Sequence, residues 1–214
     1  MNSFNITENY AYVNWMMNKW DRAQNYGSLA DGYHNASLRL LDSLIADNSN
    51  HDADTVIFAA LFCAYHSLEL YLKGTKIYCC QVDDINPWHV SVADKHDIQK
   101  LIDSLNSHFE RNERLTKNNP EVKAIFKFLD LYGALGTDED GAFHPDAMRF
   151  PESPTNKKEL PKRYAYVVDN GQLRIDIGTT RLIVDEACSL ASGIYGMWMT
   201  RAEYAVDARN GTSI

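Results

Sequence analysis

VIFAALFCAYHSLELYLKG, residues 56–74, is the segment that decides the fold. Apolar residues occupy almost every position, which is typical of a helix at the centre of a bundle. A helix turns by about 100° per residue, so His66, Glu69 and Lys73 lie within about 60° of one another. We therefore predict a central helix that is apolar nearly all round and carries one narrow polar stripe.

Apolar residues recur at helical spacing over most of the remaining chain. The first helical region is expected to break near Gly27 or Gly32. The second helix is expected to be capped by Asp52 or Asp54. The last helix is expected to start at Thr179 or Thr180. Asn119 is expected to cap the fourth helix, with Pro120 in its first turn. The predicted helical regions are 10–46, 53–80, 95–111, 119–136 and 179–206.

Two segments depart from the helical pattern. Residues 137–163 hold four of the six prolines and have no sustained period, so we predict a long loop. Residues 164–177 alternate around Asn170-Gly171, a strong signal for a β-hairpin. With a frayed tail over 207–214, the sequence predicts an all-α fold: one domain over 1–214, with five to six helices and a small β-hairpin insertion.

Composition and charge exclude several classes of protein. A net charge of −8 argues against non-specific DNA binding, which usually requires a basic protein. The N-terminus has no signal-peptide pattern, and His66 and Glu69 interrupt the longest apolar run, so no membrane span is predicted. The four cysteines have neither the spacing of a zinc finger nor a CxxC pair: they are Cys63, Cys79, Cys80 and Cys188. This cysteine usage is typical of a reducing compartment, so we predict a cytoplasmic protein.

The polar stripe of the central helix has three interpretations. It can be a slot open to water, in which Glu69 pairs with Lys73 at i,i+4. It can be buried against another helix, where each charge then needs a partner. It can also be a ligand or catalytic site that includes His66. The sequence leaves these alternatives open.

Two further segments carry candidate site residues. His96 and Asp97 begin a helix, where Asp97 complements the helix dipole and His96 helps to cap. In the alternative, His96 approaches Glu69 and forms a His–carboxylate pair that moves protons near neutral pH. Arg149, in the long loop, is expected to anchor that loop to a bundle carboxylate such as Glu69, or else to clamp an anion.

Other motifs give no positive signal. The chain has no Walker loop, no GxGxxG and no GxSxG element, and the remaining histidines lack metal-ligand spacing, so no cofactor and no metal are predicted. One late segment is a candidate packing seam, within the bundle core or between two copies of the chain. Its small residues are Ala191, Ser192, Gly193 and Gly196.

Three short motifs, in this order, resemble the HEPN superfamily of prokaryotic helical bundles. They are an E-L-x-L-K core at Glu69 to Lys73, an H-D-I-x-x-L helix start at His96 to Leu101, and an R-F-P element at Arg149 to Pro151. The resemblance spans 56–151. It implies a bundle of about five helices that commonly forms homodimers, and many members are ribonucleases of toxin–antitoxin or other defence systems.

The ribonuclease members depend on an Arg followed four to six residues later by His. No arginine of this chain has a histidine at that distance, and the nearest combination, His144 before Arg149, has the reverse order. We therefore predict a non-catalytic, homodimeric interaction or regulatory module, with a protein or RNA as its partner. Two alternatives stay open: a ribonuclease with a displaced site at His66, His96 and Arg149, or a nucleotide or small-anion binder using Lys73 and Arg149.

Overall fold

The computed structural model describes residues 21–91, 96–137 and 174–211. Within these ranges the protein is helical, and the all-α prediction is confirmed. The predicted hairpin lies almost wholly outside the described residues; residues 174–176 are irregular, and Ile177 already belongs to a helix. The described helices are α1 (Arg22–Ala46), α2 (Ala53–Val82), α3 (Ile98–Leu105), α4 (Lys123–Gly136) and α5 (Ile177–Arg209).

Helix α2 lies at the centre and packs against α1, α3 and α5. Its leucines Leu61, Leu68 and Leu72 are completely buried. By length and composition alone α2 is apolar enough to cross a membrane, with a mean hydropathy of 1.5 over its most apolar window. Since 61% of that window is buried inside the bundle, the central position of the helix accounts for its composition.

Helices α1 and α2 run antiparallel and are joined by buried hydroxyl groups. Ser37 Oγ donates to the Ala60 carbonyl at 2.8 Å, and Ser67 Oγ donates to the Ala30 carbonyl at 2.9 Å. Both serines are fully buried, so these bonds satisfy hydroxyls that would otherwise be costly to bury. The expected break near Gly27 or Gly32 is absent, because α1 is one continuous helix.

Helix α3 is shorter than predicted because a side chain closes the loop that follows it. The Asn106 amide donates to the Leu115 carbonyl at 2.9 Å and accepts from the Leu115 N–H at 2.7 Å. This two-bond pairing turns the chain back after Leu105. Phe109, predicted on the helix, lies in the loop and is still buried.

The helix ends show which capping predictions hold. Asn119 caps the 3-10 turn Pro120–Val122, which leads directly into α4, rather than α4 itself. Asp52 precedes α2, but its side chain makes no capping hydrogen bond. Helix α5 starts earlier than predicted, since the Asp176 carboxylate caps it by accepting from the Thr179 N–H at 2.6 Å.

The C-terminal end of α5 extends into the predicted tail. Helix α5 continues to Arg209, whose guanidinium donates to the carbonyls of Gln81 and Val82 at 2.8 and 3.2 Å. These carbonyls end α2, where a cation is favoured by the helix dipole. The contact holds residues 207–209 in the helix.

Candidate functional site

Glu69 is the centre of a compact polar cluster, which we call the Glu69 cluster (His66, Glu69, Lys73 and His96). The Glu69 side chain is only 2% exposed. Its Oε2 lies 3.2 Å from His66 Nδ1, and Lys73 Nζ donates to Oε1. His96 Nδ1 lies between the two carboxylate oxygens, 2.9 Å from Oε1 and 3.1 Å from Oε2.

Helix geometry places three members of this cluster. Glu69 follows His66 at i,i+3 and precedes Lys73 at i,i+4, and both spacings bring side chains onto one face of α2. Glu69 itself is buried, whereas Phe62, His66 and Lys73 on the same face of α2 are half-buried. The structure therefore contains the Glu69–Lys73 pair of the first interpretation and, around the buried Glu69, the polar network of the second.

The fourth member, His96, comes from the segment just before α3. Tyr65 on α2 holds the backbone of this segment: its hydroxyl donates to the His96 carbonyl at 2.8 Å and accepts from the Ile98 N–H at 3.4 Å. His96 has φ of 63°, in the left-handed region that non-glycine residues rarely occupy. The fold thus holds His96 in a strained backbone conformation beside Glu69.

Aromatic rings fix the His66 imidazole. The Phe62 ring stacks on it with centroids 5.8 Å apart and planes 8° from parallel, and Tyr33 meets it edge-on at 4.6 Å. His66 is a quarter exposed, whereas the His96 side chain is 55% exposed. The cluster is therefore closed on the α1 side and accessible to water on the His96 side.

The environment keeps Glu69 ionised. Burial alone raises the pKa of Glu69, but the hydrogen bonds from His66, Lys73 and His96 together lower it to about 2. The carboxylate accepts from several donors at once, which favours its charged form. A buried carboxylate flanked by two imidazoles can accept hydrogen bonds that orient both rings, or share a cation with them.

The structure brings together four of the residues singled out in the sequence, and separates one. Asp97 faces away from the cluster: it caps α3 by accepting from the Lys100 N–H at 3.1 Å and pairs with Lys100 Nζ at 2.8 Å. Arg149 lies outside the described residues, so its anchoring to Glu69 stays a prediction. Tyr65 and Tyr33 were not predicted from the sequence, because their contacts with His96 and His66 cross between elements.

Comparison of the chain with protein-family models, curated proteins and solved structures found no match. The HEPN resemblance therefore remains a prediction based on its three motifs.

Proposed function

We propose that this protein is a non-catalytic, HEPN-like interaction or regulatory module that works as a homodimer. The observation that carries the proposal is an exposed stripe on α5, here called the α5 stripe (Leu182, Gly193, Met197 and Tyr204). By the helical rule of about 100° per residue, its members lie within about 60° of one another. Leu182 is 65% exposed, Tyr204 61% and Met197 37%.

The α5 stripe shares its exposed face of α5 with the polar residues Glu186, Ser189 and Thr200. Large apolar side chains that share one exposed face are favoured at protein interfaces. Gly193 lies in their midst with open space around the position of a Cβ atom, so a second helix can approach the backbone closely. A twofold axis on this face would pair the stripe with its own copy.

The Glu69 cluster supports the non-catalytic part of the proposal. Lys73 Nζ and the Nδ1 atoms of both histidines contact the buried Glu69 carboxylate. These contacts hold α2 and the His96 segment together. The chain also lacks the Arg-x4–6-His spacing on which the ribonuclease members depend. The motif resemblance supports a role in a prokaryotic defence or toxin–antitoxin system.

The dimer is tested by sedimentation equilibrium of the purified chain. We expect a dimer for the natural sequence and a monomer for the double variant Leu182→Glu, Met197→Glu. Ile45→Glu and Ile85→Glu place the same charge at exposed apolar positions outside the stripe, where the side chains are 51% and 45% exposed. These controls should remain dimeric. A monomer in the natural sequence would overturn the proposal.

One observation favours the ribonuclease alternative, namely the convergence of His66 and His96 on Glu69. Two imidazoles in one site can supply an acid and a base for cleavage of RNA. Incubation with single-stranded RNA decides between the two functions. We expect no cleavage, whereas cleavage that is lost in both His66→Ala and His96→Ala would establish the displaced active site.

A further inference from the structure

The Glu69 cluster also contains a set of metal donors that was not predicted from the sequence. His66, Glu69 and His96 each offer one ligand atom, and these three atoms lie within 4.8 Å of one another. We propose that they bind one divalent first-row transition-metal ion, for which Zn²⁺ is the best fit. This site is independent of the dimer proposed above.

The separations suit a tetrahedral ion. Bonds of about 2.0–2.1 Å at tetrahedral angles place neighbouring donor atoms roughly 3.3 Å apart. Glu69 Oε2 lies 3.2 Å from His66 Nδ1 and 3.1 Å from His96 Nδ1. Two of the three edges of the ligand triangle therefore already have the length that the ion requires.

The donor types define the class of ion. Two imidazoles and one carboxylate suit zinc and its first-row neighbours, whereas Mg²⁺ and Ca²⁺ prefer oxygen ligands. Three protein ligands leave a fourth position for water or another small ligand. The His96 side chain is 55% accessible, so an ion can reach the donors from that side.

The surroundings hold the donors in place before an ion arrives. Lys73 bonds to Glu69 Oε1 and thereby orients Oε2 toward His66. Phe62 stacks on the His66 ring, and Tyr65 fixes the His96 backbone. Such supporting contacts around ligands raise metal affinity, because the ligands lose little freedom on binding.

Metal binding displaces protons in a defined way. Each imidazole ligates through the lone pair of Nδ1, so a proton on that atom must leave to solvent or the ring must carry its proton on Nε2. Glu69 ligates as the carboxylate and releases none. The site therefore binds Zn²⁺ more weakly as the pH falls, and binding acidifies an unbuffered solution wherever Nδ1 was protonated.

The test is calorimetric titration of chelator-stripped protein with ZnCl₂, and separately with MgCl₂. We expect one Zn²⁺ per chain, bound at least about 100-fold more tightly than Mg²⁺. His66→Ala and His96→Ala should each weaken Zn²⁺ binding by more than about 100-fold, beyond the range for changes outside the ligand set. His96→Ala is the more decisive variant, since its exposed side chain makes loss of folding less of a concern.

A matched control separates this site from surface binding. His108 Nδ1 lies 2.9 Å from a carboxylate oxygen of the exposed Asp83, and among the described residues this pair belongs to no group of three metal donors. His108→Ala should bind Zn²⁺ as the natural sequence does. The proposal is overturned if Zn²⁺ binds no more tightly than Mg²⁺, if His96→Ala binds Zn²⁺ normally, or if His108→Ala loses the site.

Discussion

Tyr195 occupies the space that a side chain at Gly74 would need. A Cβ atom built on Gly74 would lie 2.8 Å from Tyr195 Cε2, which is closer than carbon atoms approach. On the facing helix, a Cβ atom on Gly27 would lie 2.5 Å from the Tyr195 hydroxyl oxygen. That hydroxyl donates to the Ala23 carbonyl at 3.3 Å, so the ring joins α5 to both α1 and α2.

The first prediction concerns this contact. Gly74→Ala should lower the free energy of unfolding by about 1–3 kcal/mol, because overpacking outweighs the gain in helix propensity. Gly133→Ala, on α4, meets open space and should raise it by up to about 1 kcal/mol. Urea denaturation of both variants provides the comparison. Equal stability of the two variants would show that Tyr195 does not fill the Gly74 position.

The left-handed backbone of His96 gives a second prediction. In His96→Gly the imidazole is lost but the strain is relieved, whereas His96→Ala keeps a Cβ atom at φ of 63°. The glycine variant should therefore be the more stable by roughly 1 kcal/mol, although glycine is usually the less stabilising residue. At His108, which has no positive φ, the order should reverse. Thermal denaturation of the four variants measures both differences.

A third prediction links stability to pH through Glu113. The Arg201 guanidinium donates to both carboxylate oxygens, at 3.1 and 2.5 Å, and this hydrogen bonding lowers the pKa of Glu113 below its ordinary 4.5. The stabilisation is thus present above pH 4.5 and lost as the pH falls through the folded-state pKa. Because the pair is partly exposed, we expect a contribution of at most about 1 kcal/mol.

The measurement is the free energy of unfolding of Glu113→Gln against the natural sequence as a function of pH. The difference between the two proteins should be largest near neutrality and shrink in acid. Glu121→Gln, at an exposed position, serves as the control and should show a smaller difference throughout. A Glu113→Gln difference that grows in acid would contradict the assigned sign.

Local sequence patterns predicted the helices, whereas contacts between residues distant in the sequence determine the exact helix ends and complete the Glu69 cluster. The stripe of His66, Glu69 and Lys73 followed from helical spacing within eight residues, and the structure keeps it on one face. The contact of His96 with Glu69 bridges 27 residues, and the sequence offered it only as an alternative. Spacing along one segment carries no information on which loop folds back onto it.

Two errors in the predicted elements have the same origin. Gly27 looked like a helix break, yet α1 continues through it, and the glycine is explained by Tyr195, far along the chain, which leaves no room for a side chain there. The predicted length of α3 was wrong because Asn106 pairs with Leu115 and turns the chain. In both cases a tertiary contact overrides the local preference.

The central claim is that Glu69 is the polar centre that ties α2 to the His96 segment. Glu69→Gln tests it most directly, because glutamine keeps the size of the side chain but removes its charge and turns an amide N–H₂ toward the donors around it. With chelator present, so that metal binding contributes nothing, we predict a loss of about 3 kcal/mol in the free energy of unfolding. That is the low end for breaking a buried pair, since His66 and His96 retain access to water. A loss below about 1 kcal/mol, as for an exposed ion pair, would contradict the claim.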